Sequence, residues 1–115
     1  MSDRFEYTQE ERDGVLVFKL EGSLDIGTIS SVRTNIEPLV SSGPHKVLFD
    51  LYDLEQIDSS GVTAFIVIFK RVRSNKGDMK ILGLMGQPRE IFSLLRLDRI
   101  FEIYSDLDEA IASFQ

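Results

Sequence analysis

The chain has 115 residues, enough for one domain with a single buried core and too few for two. With 43% hydrophobic and 28% charged residues it has the balance of a soluble globular protein, which excludes a disordered tail or a membrane span as its main character. The absence of cysteine excludes disulfides, thiol catalysis and thiolate metal sites, and a formal charge of −6 argues against nucleic acid or an anionic membrane as principal partner, because both reward clustered Lys and Arg.

The opening Met1-Ser2-Asp3-Arg4 is polar and runs straight into a strand-like segment, unlike the basic start and apolar run of a signal peptide, so a cytoplasmic location is expected. Residues 4–8 alternate, and the β-rich run from Gly14 to Gly22 follows, which predicts an antiparallel pair. From Thr28 to Val40, Ile29, Val32, Ile36, Leu39 and Val40 recur at helical spacing; Gly43-Pro44 stops the helix, and Pro38 predicts an irregularity near its end. Residues 46–51, mostly apolar, read as a strand covered on both faces, with a polar interruption from Tyr52 to Gly61.

The strongest helix signal runs from there to about Lys76, with Val62, Phe65, Ile66, Phe69 and Val72 on one face and Gly77-Asp78 as the break. Residues 79–84 read as a strand, Pro88 to Leu97 as a helix opened by proline, and Ile100 to Tyr104 as a short strand. Ser105 is the expected cap of a last helix carrying Leu107, Ala110, Ile111 and Phe114 in one stripe. The resulting expectation is an α/β domain spanning 1–115: a mixed sheet of four to five strands, an N-terminal antiparallel pair followed by parallel crossovers, and about four helices.

In open α/β sheets the functional loops lie beyond the carboxyl ends of the strands, which selects residues 23–27 and 53–61. The second loop places Asp58, Ser59, Ser60 and Gly61 between a buried strand and the start of the best helix. These residue types cap helices, and that accounts for the composition by itself. The same geometry also holds a serine near the surface at a helix N-terminus, where an added phosphate is tolerated. The charge would arrive beside Asp58 and near Asp53 and Glu55, so a partner docked there would be repelled.

Three segments carry a resemblance across nearly the whole chain: Gly22-Ser-Leu-Asp25, Val47-Leu-Phe-Asp-Leu51, and above all Ile57-Asp-Ser-Ser-Gly61 opening a long apolar helix. With them the chain resembles the anti-sigma-factor antagonists, whose fold is the STAS domain shared with sulfate transporter tails. The resemblance implies partner switching. In that family the unphosphorylated antagonist binds an anti-sigma factor that is also a serine kinase and so releases a sigma factor. Phosphorylation ends the complex, and a metal-dependent serine phosphatase restores it. By the same resemblance Ser59 is the phosphoacceptor, with Ser60 the neighbouring alternative, and Asp25 belongs to the docking surface. One departure bears on the partner: the family often has two polar residues after that aspartate, whereas Ile26-Gly27 stand here.

Ala64 and Val67 fall off the apolar stripe and are expected to face outward. The expected partner face is therefore Asp25, Asp58, Ser59, Ser60, Gly61, Thr63, Ala64 and Val67. Lys70, Arg71, Arg73 and Lys76 read as cations at a helix C-terminus, not as a nucleic-acid site. Nothing in the sequence suggests a catalyst: His45, the only histidine, falls at the start of a strand, the end opposite Ser59, and there is no nucleophile elbow, P-loop or metal-ligand spacing. A magnesium-dependent phosphoaspartate domain would need an acidic pair after its first strand, where only Asp25 stands. No cofactor and no direct membrane insertion are expected. The alternative that stays open is a STAS-like accessory subunit of a transporter or stress-signalling complex, with the serines acting only as a cap.

Overall fold

The computed structural model describes residues 4–115; Met1, Ser2 and Asp3, the start of the polar lead-in, lie outside the described residues. β1 (Phe5–Arg12) and β2 (Val15–Leu24) form the antiparallel hairpin. They are joined by Asp13-Gly14, both at positive φ (53° and 82°), the two-residue turn whose twist matches a right-twisted hairpin. β1 reaches four residues beyond the predicted 4–8. Its second half, Gln9-Glu10-Glu11-Arg12, is exposed on an edge strand and shows no alternation.

The first helical run, α1 (residues 29–40), contains the expected irregularity as a wide π-helical turn over Val32–Ile36. The Glu37 N–H reaches back five residues to the Val32 carbonyl, and Pro38, which has no N–H to donate, follows directly. β3 (Lys46–Ile57), α2 (Ser59–Ser74), β4 (Asp78–Leu82), α3 (Gly86–Leu94), β5 (Ile103–Tyr104) and α4 (Leu107–Ala112) complete the chain, with a 3-10 turn at Leu97–Arg99 before β5. The sheet order is β1-β2-β3-β4-β5, antiparallel at β1/β2 and parallel elsewhere.

Alternation along the strands divides the apolar residues between two faces. Phe18, Leu20, Val47, Phe49, Leu51, Met79 and Ile81 pack under α1, α2 and α3, and an aromatic series runs through them from Phe18 to Phe49 (5.5 Å), Phe65 (5.3 Å) and Phe92 (6.3 Å). On the opposite face Val15, Val17, Leu48 and Leu82 meet Ala110 and Ile111 of α4. Lys80, buried on that side, donates from Nζ to the Ser113 carbonyl (3.0 Å) and Oγ (2.9 Å) and lies 3.4 Å from Glu102, fastening the end of α4 to the sheet. The cap of α4 is Asp106, whose carboxylate accepts from Glu109 N–H at 2.9 Å, and not Ser105. The Ser105 carbonyl instead accepts the Tyr52 hydroxyl.

β3 is twice the predicted length, because two bulges against β2, between Asp50 and Asp53 and between Leu54 and Gln56, carry the strand through the polar stretch. Leu54 and Ile57 stay in the core while Tyr52, Asp53, Glu55 and Gln56 face out. Asp50 is half-buried on the outer face, and its desolvation raises its pKa against the opposing effects of the Tyr52 N–H and of Lys19. A carboxyl with a raised folded-state pKa binds its proton more tightly when folded, so stability falls as pH rises from the unfolded value through the folded one. Asp50→Asn is therefore expected to raise stability at pH 7 and to leave it unchanged at pH 3, where the wild-type carboxyl is already protonated; urea unfolding at both pH values checks this.

Candidate functional site

The Leu24–Ile57 pairing at the far end of the β2/β3 ladder sets the two sequence-selected loops side by side. Asp58 then joins them. Its Oδ1 accepts from the N–H groups of Ser60 (2.9 Å) and Gly61 (3.1 Å), capping α2, while Oδ2 accepts from Ile26 N–H (3.1 Å) in the other loop. Its own N–H donates to the Leu24 carbonyl at 3.2 Å. One carboxylate thus holds three N–H groups from two loops, and the cap alone is worth about 0.5–2 kcal/mol.

The Asp25 loop is rigid in its own right. Asp25 Oδ1 accepts from Gly27 N–H at 2.9 Å in a local side-chain turn. The Thr28 hydroxyl donates to the Ser23 carbonyl at 2.7 Å and accepts from Asp25 N–H at 3.0 Å. Beyond Asp50 the strand β3 has no β4 neighbour, since β4 stops at Leu82, and Gln87 of α3 supplies the missing partner for the last residue. Its side-chain amide accepts from Ile57 N–H (2.8 Å) and donates to the Ile57 carbonyl (2.9 Å), as another strand would. Sequence reasoning missed Gln87, because nothing in the local pattern of an α3 residue reveals an unpaired strand end 30 positions away.

On this frame Ser59 is the first residue of α2 and is exposed; Ser60 is half-buried, and neither hydroxyl has a hydrogen-bond partner among the described residues. Gly61 is buried against the adjoining loop: a Cβ there would lie 2.6 Å from Ile57 Cγ1 and 2.8 Å from the Leu24 carbonyl oxygen. Thr63 is exposed and Val67 half-buried. Ala64 is a correction. It is 3% exposed and packs in the core with Ile68 one turn on, because the small side chains at 61 and 64 let α2 lie close to the sheet and loop. Ile66 and Phe69, predicted on the core stripe, are only half-buried.

Ile26 was missed as a contact candidate. It is 74% exposed, and its backbone is bonded to the Asp58 carboxylate, so an exposed apolar side chain stands on the loop that Asp58 ties to the start of α2. The apolar departure in an otherwise polar loop was the available signal. Asp53 belongs to the outer face of the sheet, where it pairs with Lys19 at 3.1 Å. The cations at the end of α2 are held locally: Arg71 on Glu37 at 3.2 Å, and Arg73 on Asp78 at 3.8 Å and over the Phe69 ring. His45, at the opposite end of β3, approaches Ser42 Oγ at 3.3 Å. Among the described residues no histidine lies beside the Ser59 hydroxyl, which stands exposed at the head of α2 on two loops joined by the Asp58 carboxylate.

No helix among the described residues is long and apolar enough to cross a membrane, and no group of three metal-ligating side chains is found among them. Comparison with known proteins bears on this geometry. A profile of the STAS domain matches residues 6–110. BtrV of Bordetella bronchiseptica, named as a candidate anti-sigma factor antagonist, is 25% identical over 108 residues, 94% of this chain and 93% of that one. The crystal structure of an anti-sigma factor antagonist from Mycobacterium paratuberculosis superposes with a TM-score of 0.88 at 24% identity, covering 99% of this chain and 97% of that one. The Bacillus cell fate determinant SpoIIAA in its phosphorylated form gives 0.75 at 20% identity, covering 96% of this chain and all of that one. With the profile match spanning the sheet, the helices and the Asp58 loop together, the chain belongs to the STAS domain family.

Proposed function

We propose that this protein is an anti-sigma-factor antagonist that works by partner switching. Unmodified, it docks on an anti-sigma factor that is also a serine kinase and so releases a sigma factor; phosphorylation at Ser59 ends the complex, and a serine phosphatase restores it. The reading places the protein in the cytoplasm, in signal transduction to transcription. The observation that carries it is the exposed Ser59 hydroxyl, without a hydrogen-bond partner among the described residues, on a loop that the Asp58 carboxylate joins to its neighbour. The names of the relatives and the existence of SpoIIAA in a phosphorylated form support it.

The physical consequence of modification is local. A phosphate adds about −1.5 to −2 charges, and it would stand next to Asp58 and the neighbouring Asp25 loop on a chain already at −6. Helix N–H groups tolerate it, so the fold survives while an interface designed for a neutral hydroxyl does not. The docking face comprises Asp25, Ile26, Ser59, Thr63 and Val67, with Asp58 and Gly61 as the residues that position it and Ala64 withdrawn to the core. Ser60, half-buried, is the less accessible of the two hydroxyls.

Affinity capture from the native cells with wild type, Ser59→Ala and Ser59→Asp as baits tests this directly. The expected result is recovery of a small serine kinase by the first two baits, at least tenfold less by the third, and phosphate on Ser59 by mass spectrometry. If all three recover the same transporter or stress-complex subunits and Ser59 never carries phosphate, the serines are a cap and the protein is a constitutive accessory subunit.

A further inference from the structure

The end of β3 has a strand beside it on one side only. β4 stops at Leu82, opposite Asp50, whereas β2 accompanies β3 as far as the Leu24–Ile57 pairing. Successive residues of a strand turn their backbone groups to opposite sides. The Asp58 N–H accordingly goes to the Leu24 carbonyl at 3.2 Å, and the N–H and carbonyl of Ile57 go the other way, where no strand stands. Ile57 is 2% exposed, and backbone groups buried this far from water need partners. The Gln87 amide meets both, accepting at 2.8 Å and donating at 2.9 Å.

The chemistry of that contact is specific. A side-chain amide carries a donor and an acceptor side by side, as a strand backbone does; a carboxylate of the same length only accepts, and a leucine does neither. The helix that carries Gln87 is itself seated against the helix that carries Ser59. Phe92 of α3 is 1% exposed and stands 6.3 Å from Phe65 of α2, and Pro88, next to Gln87, is buried. α3 therefore holds this end of the molecule at two points: the last residue of β3 through Gln87, and the body of α2 through Phe92. Only Asp58 separates the first of these points from Ser59, and its carboxylate carries the hold onward to Ser60, Gly61 and Ile26.

We propose that Gln87 is a positioning residue for Ser59, acting through the Ile57 backbone. Its amide fixes Ile57, Ile57 fixes where Asp58 leaves the sheet, and Asp58 fixes the first turn of α2 against the Asp25 loop. Without the amide the Asp58 cap still forms, since it is local to α2, but the head of the helix shifts relative to the other loop. A partner that reads both loops at once then loses affinity even with Ser59 unchanged. That functional consequence rests on the reading of Ser59 as the partner-facing acceptor; the clamp itself is measurable with no partner present.

The test compares the full chain as wild type, Gln87→Leu and the isosteric Gln87→Glu, with Val17→Ala as a control that loosens the core on the opposite, α4 face of the sheet. Amide hydrogen exchange and nitrogen–proton correlation spectra are recorded for each, and each serves as bait for the kinase that the wild type recovers. Both Gln87 variants are expected to lower the protection of the Ile57 amide at least tenfold and to displace the Ser59 amide resonance, with Phe49 and Ile81 protected to within twofold of wild type. Kinase capture should fall at least tenfold for both. Val17→Ala should lower protection across the chain and leave the Ser59 resonance and the capture as they are. An Ile57 amide still protected to within twofold, an unmoved Ser59 resonance, or undiminished capture by the Gln87 variants overturns the proposal. A wild type that recovers no kinase overturns the antagonist reading instead, and the Ile57 and Ser59 amides then decide the clamp by themselves.

Discussion

Phe65→Ala is expected to remove about 3–5 kcal/mol of stability, a large share of the roughly 5–15 kcal/mol that holds a domain of this size together. Phe65 is 1% exposed and stands between Phe49 of β3 (5.3 Å, edge to face) and Phe92 of α3 (6.3 Å). Its removal opens a cavity at the point where sheet, α2 and α3 meet, and the neighbouring rings are themselves locked by Phe18 and Phe101 and cannot collapse into it. Urea unfolding measures the loss. A change below about 1.5 kcal/mol would mean that the centre of the core repacks freely, contrary to what close packing allows.

Gly61→Ala should also destabilise, although a simple helix argument predicts the reverse. In an ordinary helical position alanine gains about 1 kcal/mol over glycine. Here the new methyl would meet Ile57 Cγ1 at 2.6 Å, the Leu24 carbonyl oxygen at 2.8 Å and Leu24 Cγ at 3.1 Å. The carbonyl cannot give way cheaply, because it is backbone and accepts the Asp58 N–H. Overpacking of about 1–3 kcal/mol, at its upper end where backbone is struck, outweighs the propensity gain. The net loss of about 1–2 kcal/mol should lower the melting temperature by several degrees. It should also shift Ser59, so partner capture should fall even with serine in place. A raised melting temperature would show that the start of α2 is loosely seated.

Much of this architecture was legible from periodicity. Strand alternation, the long apolar helix from Val62, the sheet with its one antiparallel pair and the loops at the strand ends all follow from patterns within ten to twenty residues. The antiparallel pair was legible too, but its Asp13-Gly14 turn was not singled out, and the charged run before it hid the second half of β1. β3 was read six residues short because a strand with two bulges loses the period-two signal on which the reading depends. Capping by Asp106 in place of Ser105 is a shift of one residue between two good cap formers, which propensity cannot separate.

The candidate site divides in the same way. That a serine stands at the head of a buried helix behind an aspartate is a local fact, and local chemistry was enough to single out Asp58, Ser59 and Gly61. Which face of α2 is outward was not local. Periodicity ranks residues by size and polarity, so it placed bulky Ile66 and Phe69 inside and small Ala64 outside, whereas the helix turns Gly61 and Ala64 inward because only small groups fit where it crosses the Leu24 loop. The Asp58–Ile26 and Ile57–Gln87 hydrogen bonds join residues 32 and 30 positions apart and exist only because β2 and β3 end where α3 begins. The sequence by itself therefore determined the elements, their order and the chemical identity of the loop, since those rest on short-range sterics and burial patterns. Only the tertiary structure decided which residues are presented beside the loop, with Ile26 exposed and Ala64 buried, because orientation is set by how closely two backbones approach and by partners far apart along the chain.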